Sequence, residues 1–456
     1  INVKQVTDDN PGILEQDTVD NNTYIINSIE DLVAFSYNVR NGNEYEGKTI
    51  RLGSDLDFNS TKSYVEPYRT DYTQYGYNGK LKECLLDTGW IPIGDTVNIT
   101  QNNFKGTFDG NNKNIYHLLI NQNVTIGMSF IGLFANNMGN IENLNLKNIV
   151  SLSSGRNGIY YFIGGISGNN QGNIINCTTT GDFQTQGNYA LVSGISARNE
   201  GTIELSTNYS KISGKSMYIA GISAQNLAQI KKCANFGEIN SQEFGRYIGG
   251  IAGLTMDDNS SIQASFNNGN INVNKSESDV SYIGGIAGQS MSNISNCYNN
   301  CTISSTIENF DSYIGGICGL LNSSIQNCYS HGKIVANSNN TIKLSLGGII
   351  GAFSNGDIKN VYNDMNFHSD NSSDSITIGN VLGLLGNISE DKNLYFYGEN
   401  EAIGDNLNNS NIQCTKFDKQ PTQSEILNIL NSDSNMFQED TTNRNEGYPL
   451  LNWQTK

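Results

Sequence analysis

A repeat of about thirty residues runs through the middle of this chain and constrains its fold more than any other feature. An apolar residue followed by a glycine-rich step recurs at Ile131, Ile163, Val192, Ile219, Ile248, Ile283, Ile314, Leu346 and Ile378, at spacings of 32, 29, 27, 29, 35, 31, 32 and 32 residues. A unit that short cannot bury an apolar face alone, so a period held over nine rows implies a solenoid that grows coil by coil. Counting domains from the length of 456 residues then loses its meaning.

The columns of the repeat define its interior. A second strand follows each anchor by about ten residues, and its fourth position reads Leu144, Cys177, Ser206, Cys233, Ser265, Cys297, Cys328 and Val361. These are small or apolar side chains, suited to a tight internal stack. Two residues on, the column reads Leu146, Thr179, Asn208, Asn235, Asn267, Asn299, Ser330 and Asn363. Carboxamides stacked at a bend can bond from coil to coil. Four residues later comes an apolar column of Val150, Phe183, Ile212, Ile239, Ile271, Ile303, Ile334 and Phe367. Gly-Gly pairs, abundant Asn and β-branched residues argue against helical repeats. No proline occurs between 93 and 420, as suits a segment in which almost every N–H donates to a neighbouring strand. The expected fold is all-β: a right-handed parallel β-helix of about nine coils, roughly 40 to 45 Å long.

Such a rod needs covered ends, because open strand edges template aggregation. Residues 1–130 read as an N-terminal cap and lead-in, 131–390 as the repeats and 391–456 as a C-terminal cap. Ser28 with Asp31 three residues on predicts a helix over 28–38, and Thr422 to Leu430 predicts another. Extended segments are expected over 49–58, 104–108 and 447–453.

Charge and cysteine usage exclude several classes. A net charge of −17 and a pI near 4.6 disfavour nucleic acid and anionic membrane surfaces. No apolar run approaches the roughly 18 residues of a membrane span, so no membrane insertion is expected. The start at Ile1, without an initiator Met, reads as that of a mature or excised fragment of a longer chain. The eight cysteines show no zinc-like CxxC spacing and only three histidines are present, so no metal and no cofactor is expected. Cys297 and Cys328 fall one coil apart, but stacked side chains point the same way, and free buried thiols are expected.

At this point the residues resemble the GLUG-repeat proteins. The matching motifs are Gly250-Ile251-Ala252-Gly253, Gly285-Ile286-Ala287-Gly288, Gly316-Ile317-Cys318-Gly319 and Gly348-Ile349-Ile350-Gly351. The lead-in motifs are Glu30-Asp31-Leu32, Asp55-Leu56-Asp57, Trp90-Ile91-Pro92-Ile93-Gly94 and Phe104-Lys105-Gly106-Thr107-Phe108-Asp109-Gly110. Ile replaces Leu in the repeats, and Ala197 and Ala224 replace the final Gly. The resemblance implies a secreted or cell-surface bacterial protein, often adhesin-like. Similar repeats also flank the catalytic region of immunoglobulin-A-cleaving zinc metallopeptidases; that region's HExxH motif is absent here.

Two aromatic columns are the candidate ligand-contact residues. Tyr218, Tyr247, Tyr282 and Tyr313 precede the glycine step on four consecutive coils, and Tyr298, Tyr329 and Tyr362 follow the cysteine column. If the cysteines point inward, alternation turns those three tyrosines outward, where a strip of rings suits sugars or a protein surface; stacking on one another merely to stabilise the ladder is the plainer alternative. Asp55 with Asp57, and Asp257 with Asp258, are the carboxylate pairs that could hold calcium or a sugar, against a default of solvated turns. No catalytic residue is assigned. The leading expectation is a non-enzymatic extracellular binding or adhesion module whose partner is a host or matrix protein or glycan. A carbohydrate-active β-helix enzyme and a structural stalk of a larger protein, such as a protease, are the alternatives.

Overall fold

The computed structural model describes residues 14–58, 90–94, 102–120, 123–124, 128–256, 259–275, 279–338, 342–369, 376–408 and 410–455. The repeats wind into a parallel β-solenoid of about eight turns. That is slightly fewer than the nine coils expected. Two α-helices are present among the described residues, and the chain divides into two compact units, Ile1–Ser213 and Gly214–Lys456.

In the first unit coiling begins well before the first anchor. Strands Thr23–Ile26, Thr49–Leu52, Thr107–Asp109, Asn140–Glu142, Asn173–Ile175 and Thr202–Glu204 pair in parallel, one after another. The lead-in is therefore already solenoid, less regular because its connections are longer. Helix α1 (Ile29–Arg40) forms as expected: Ser28 Oγ accepts from the Asp31 N–H, and Asp31 returns the bond to the Ser28 N–H. Its buried face places Phe35 among Phe104, Phe108 and Phe134, at ring separations of 5.5, 5.8 and 6.4 Å, which closes one end of the core.

One column reading needs correction here. Asn148 adopts a left-handed backbone (φ 52°), and the pairing register shifts between Leu146 and Ile149. The bulge turns Ile149 inward and leaves Val150 36% exposed, so Ile149 is the core residue of that row.

In the second unit the anchor strands Tyr218–Ala220, Tyr247–Gly249, Ser281–Gly284, Ser312–Gly315, Leu344–Gly347 and Ile376–Gly379 stack in register. The glycine step after them is forced from two sides. A Cβ on Gly250, Gly285 or Gly316 would strike the carbonyl of Gly285, Gly316 or Gly348 in the next coil. The same Cβ would also meet the Asn267 or Asn299 carboxamide or the Ser330 hydroxyl from inside. Those carboxamides form the expected ladder: Asn235 Nδ2 donates to Asn267 Oδ1 (2.8 Å), and Asn267 to Asn299 (2.9 Å).

A second ladder was not expected. The residue before each cysteine-column position is left-handed in every coil, with φ of 54° at Asn143, 53° at Asn176, Asn296, Asn327 and Asn360, and 57° at Asn393. Asn tolerates that conformation better than other side chains. Asn360 donates to Asn327, and Asn393 to Asn360, both at 2.8 Å. Leu205, Lys232 and Ala264 occupy the same turn at φ 53°, 51° and 50° and forgo both advantages.

The thiols behave as expected. Cys177, Cys233, Cys297, Cys301, Cys318 and Cys328 are buried and free, and Cys414 is free at intermediate burial. Cys84 lies outside the described residues. Burial pushes the Cys177 and Cys301 thiols up to about 12.

The C-terminal segment departs from expectation. It supplies strands Glu390–Phe396, Ile403–Asn406 and Cys414–Lys416 to the solenoid and then turns back along its flank. Helix α2 (Gln423–Leu430) is capped by Thr422 and Glu425. Only Leu450–Leu451 of the expected closing strand is extended, and Asn452–Thr455 is a 3-10 turn.

Two substitutions test these accounts. Gly285→Ala is expected to destabilise the second unit by about 3 kcal/mol in urea unfolding, because neither obstacle to its Cβ can move freely. Leu205→Asn is expected to stabilise the first unit by about 1 kcal/mol, by relieving left-handed strain at an exposed position one coil from Asn176.

Candidate functional site

Strand alternation does turn Tyr298, Tyr329 and Tyr362 away from the solenoid core, but it does not expose them. All three are fully buried, together with Phe266, beneath Ile426, Ile429, Leu430, Phe437, Tyr448 and Leu451 of the folded-back arm. Successive rings from Phe266 stack at 4.8 and 5.0 Å. The Tyr329 hydroxyl donates to the Pro449 carbonyl (2.5 Å) and accepts from Asn445 Nδ2 (2.5 Å), while Gln454 Nε2 donates to the Tyr298 hydroxyl (2.9 Å). Burial drives both phenol pKa values far up. The reading of these three as ligand contacts is therefore corrected: they form a second core that joins arm to solenoid.

Tyr218, Tyr247, Tyr282 and Tyr313 also stack, at 4.7, 5.5 and 5.7 Å, with interplanar angles of 24°, 18° and 7°. Tyr247 is 8% exposed, and the other three are half-buried. Ring faces turned toward one another leave mainly edges and hydroxyls for a partner, which suits hydrogen bonding better than stacking on a sugar. The carboxylate pair Asp55 and Asp57 is engaged by the next coil, through the Asn114 N–H (2.9 Å) and His117 Nδ1 (2.8 Å). Asp257 and Asp258 lie outside the described residues. No group of three or more metal-ligating side chains assembles among the described residues.

The site with the most chemistry is one that the sequence columns did not single out. Where the arm meets the last coils of the second unit it leaves a cleft of about 600 Å³, walled by His331, Asp364, Asn380, Tyr397, Phe417 and Tyr448. The register that pairs Ser330 with Asn363 brings His331 beside Asp364. His331 Nδ1 lies 3.5 Å from Asp364 Oδ1, and Nε2 lies 3.3 Å from Glu446 on the arm. The Tyr448 ring stacks on the imidazole at 3.9 Å, and its hydroxyl donates to Asp364 Oδ2. Gln420 Nε2 completes the set by donating to the Tyr448 hydroxyl (2.9 Å).

Electrostatics make this cluster a latch. Burial works against a charge on His331, but Asp364 and Glu446 outweigh it and hold the imidazole above its usual 6.5. Both ring nitrogens face carboxylates and one ring face is covered, so the imidazole has no free nitrogen to present to a substrate. Repeat spacing could have revealed the His331–Asp364 pair, one position after the carboxamide ladder. Nothing in the periodicity announced Tyr448, Gln420 or Glu446, because they arrive on a non-repeating segment.

No family model and no curated protein matches the chain. Among solved structures, a crystal structure of a "putative immunoglobulin A1 protease" from Bacteroides ovatus matches over 94% of this chain and 92% of that one, at 15% identity and a TM-score of 0.35. Similarity at that level carries no functional argument. No helix among the described residues is long and apolar enough to cross a membrane.

A charged imidazole held between carboxylates gives stability that is complete below the unfolded value of 6.5 and is lost as pH rises through the elevated folded value. Urea midpoints measured from about pH 5 to about pH 9 are expected to fall with rising pH, and His331→Gln is expected to remove that slope. A wild-type midpoint that climbs through neutrality would contradict the latch.

Proposed function

We propose that this chain is a non-enzymatic binding module that works outside the cell and holds a host or matrix protein or glycan in the cleft of its second unit. The observation that carries the reading is the cleft itself: a concave, partly aromatic recess with a few convergent polar groups, as ligand sites generally are. A non-catalytic role is supported by His331, whose nitrogens are both occupied by carboxylates. The resemblance of the glycine motifs to GLUG repeats points the same way, toward an adhesin-like surface protein.

A structural stalk of a larger protein is the second reading. It is favoured by the two aromatic columns, whose rings are largely consumed in stacking on each other or under the arm. Binding to an array of glycans and matrix proteins separates the two. Tyr397, 37% exposed at the cleft, can be truncated without opening a core. Specific binding that Tyr397→Ala weakens about tenfold or more, at unchanged thermal stability, is the expected result. Silence across the array would favour the stalk, and release of a cleavage product would overturn the non-enzymatic reading.

A further inference from the structure

Two buried acceptor oxygens at the wall of the cleft accept no hydrogen bond: Asp364 Oδ1, which meets His331 only as an ion pair, and Asn380 Oδ1. The second Asp364 oxygen is taken by the Tyr448 hydroxyl, and the nearest nitrogen to the first, His331 Nδ1, stands off at 3.5 Å. Asn380 commits its Nδ2 to the Asn400 carbonyl (2.5 Å), which fixes the carboxamide and makes its oxygen the atom left over. Over that oxygen the chain places Gly398, where a Cβ would stand only 2.5 Å from it.

The rest of the wall decides what kind of donor belongs there. Glu399 and Asp418 stand exposed at the rim, so two carboxylates face Lys416 there, while Asp364 and Glu446 are already matched to the imidazole. A neutral sugar could satisfy the two acceptors but would leave the excess rim carboxylate unpaired. A cation answers both needs, and the partly exposed ring of Tyr397 and that of Phe417 suit one as well.

We propose that the cleft receives a cationic side-chain tip, ammonium or guanidinium, presented by a partner protein. This rests on the reading of the cleft as the binding site and narrows it to one ligand class. Among macromolecules the charge favours a protein surface bearing lysine or arginine over a neutral glycan.

The test is calorimetric titration of the whole chain with capped tripeptides carrying Lys or Arg, and with norleucine and citrulline peptides as neutral isosteres. Cationic peptides are expected to bind about tenfold tighter than their isosteres, and the difference to shrink as salt is raised. The double variant Glu399→Gln, Asp418→Asn changes only rim residues and is expected to lose most of that advantage while keeping its unfolding midpoint. Equal affinity for the neutral peptides, or tight binding of a neutral oligosaccharide that Tyr397→Ala abolishes, would overturn the cation assignment and leave the binding module standing. Ethylammonium binding as tightly as the lysine peptide would overturn the claim of a protein partner. No heat from any of these probes, sugars included, would overturn both the assignment and the reading beneath it.

Discussion

Parallel stacking of successive coils is the constraint on which everything else in this protein depends. Each strand leans on the next for its backbone hydrogen bonds, so adjacent turns must approach to strand-pairing distance at every position, corners included. At the corner after the anchor strand that closeness leaves no room for a side chain, and glycine becomes obligatory at Gly250, Gly285 and Gly316. The space inside the corner is filled by the Asn235–Asn267–Asn299 carboxamides, which bond along the stack. The periodic sequence is the imprint of this packing: glycine outside, asparagine inside, a left-handed turn three residues before the asparagine.

How much was legible follows from what repeats. A column states its own register, so the anchor isoleucines, the cysteine interior and the carboxamide ladder could all be read from spacing. The two helices were legible for another reason, since Ser28 with Asp31 and Thr422 with Glu425 are local capping signals that need no tertiary context. Val150 was misplaced because a one-residue bulge at Asn148 inverts the alternation, and nothing in the residue types marks it. The lead-in reads apart from the repeats because its turns are irregular in length, although its strands pair as the later ones do.

The cleft was harder to see. Half of it, His331 beside Asp364, lies in the repeat and differs from its column only by carrying charge. Much of the rest comes from residues 417–448, which obey no period, and their position on the flank is set by apolar packing against Phe266, Tyr298, Tyr329 and Tyr362. The same alternation argument that turned those tyrosines outward also shows why they need a cover: four aromatic rings on an open sheet face are too much apolar surface to leave in water. The arm answers that need, and the cleft forms where it passes from solenoid to flank.

Solenoids ordinarily tolerate gain or loss of whole units, because each coil touches only its neighbours. The arm removes that freedom in the second unit. It touches the rows of Phe266, Tyr298, Tyr329, Tyr362 and Tyr395 at once, from Trp453 bound to the Ala264 carbonyl at one end to Phe417 against Tyr395 at the other. Duplicating or deleting one turn within that span would leave the arm too short or too long for its own anchor points. Between those rows the repeat count is therefore gauged by a non-repeating segment, much as a spacer is cut to a fixed length, whereas rows beyond its reach stay free to vary in copy number.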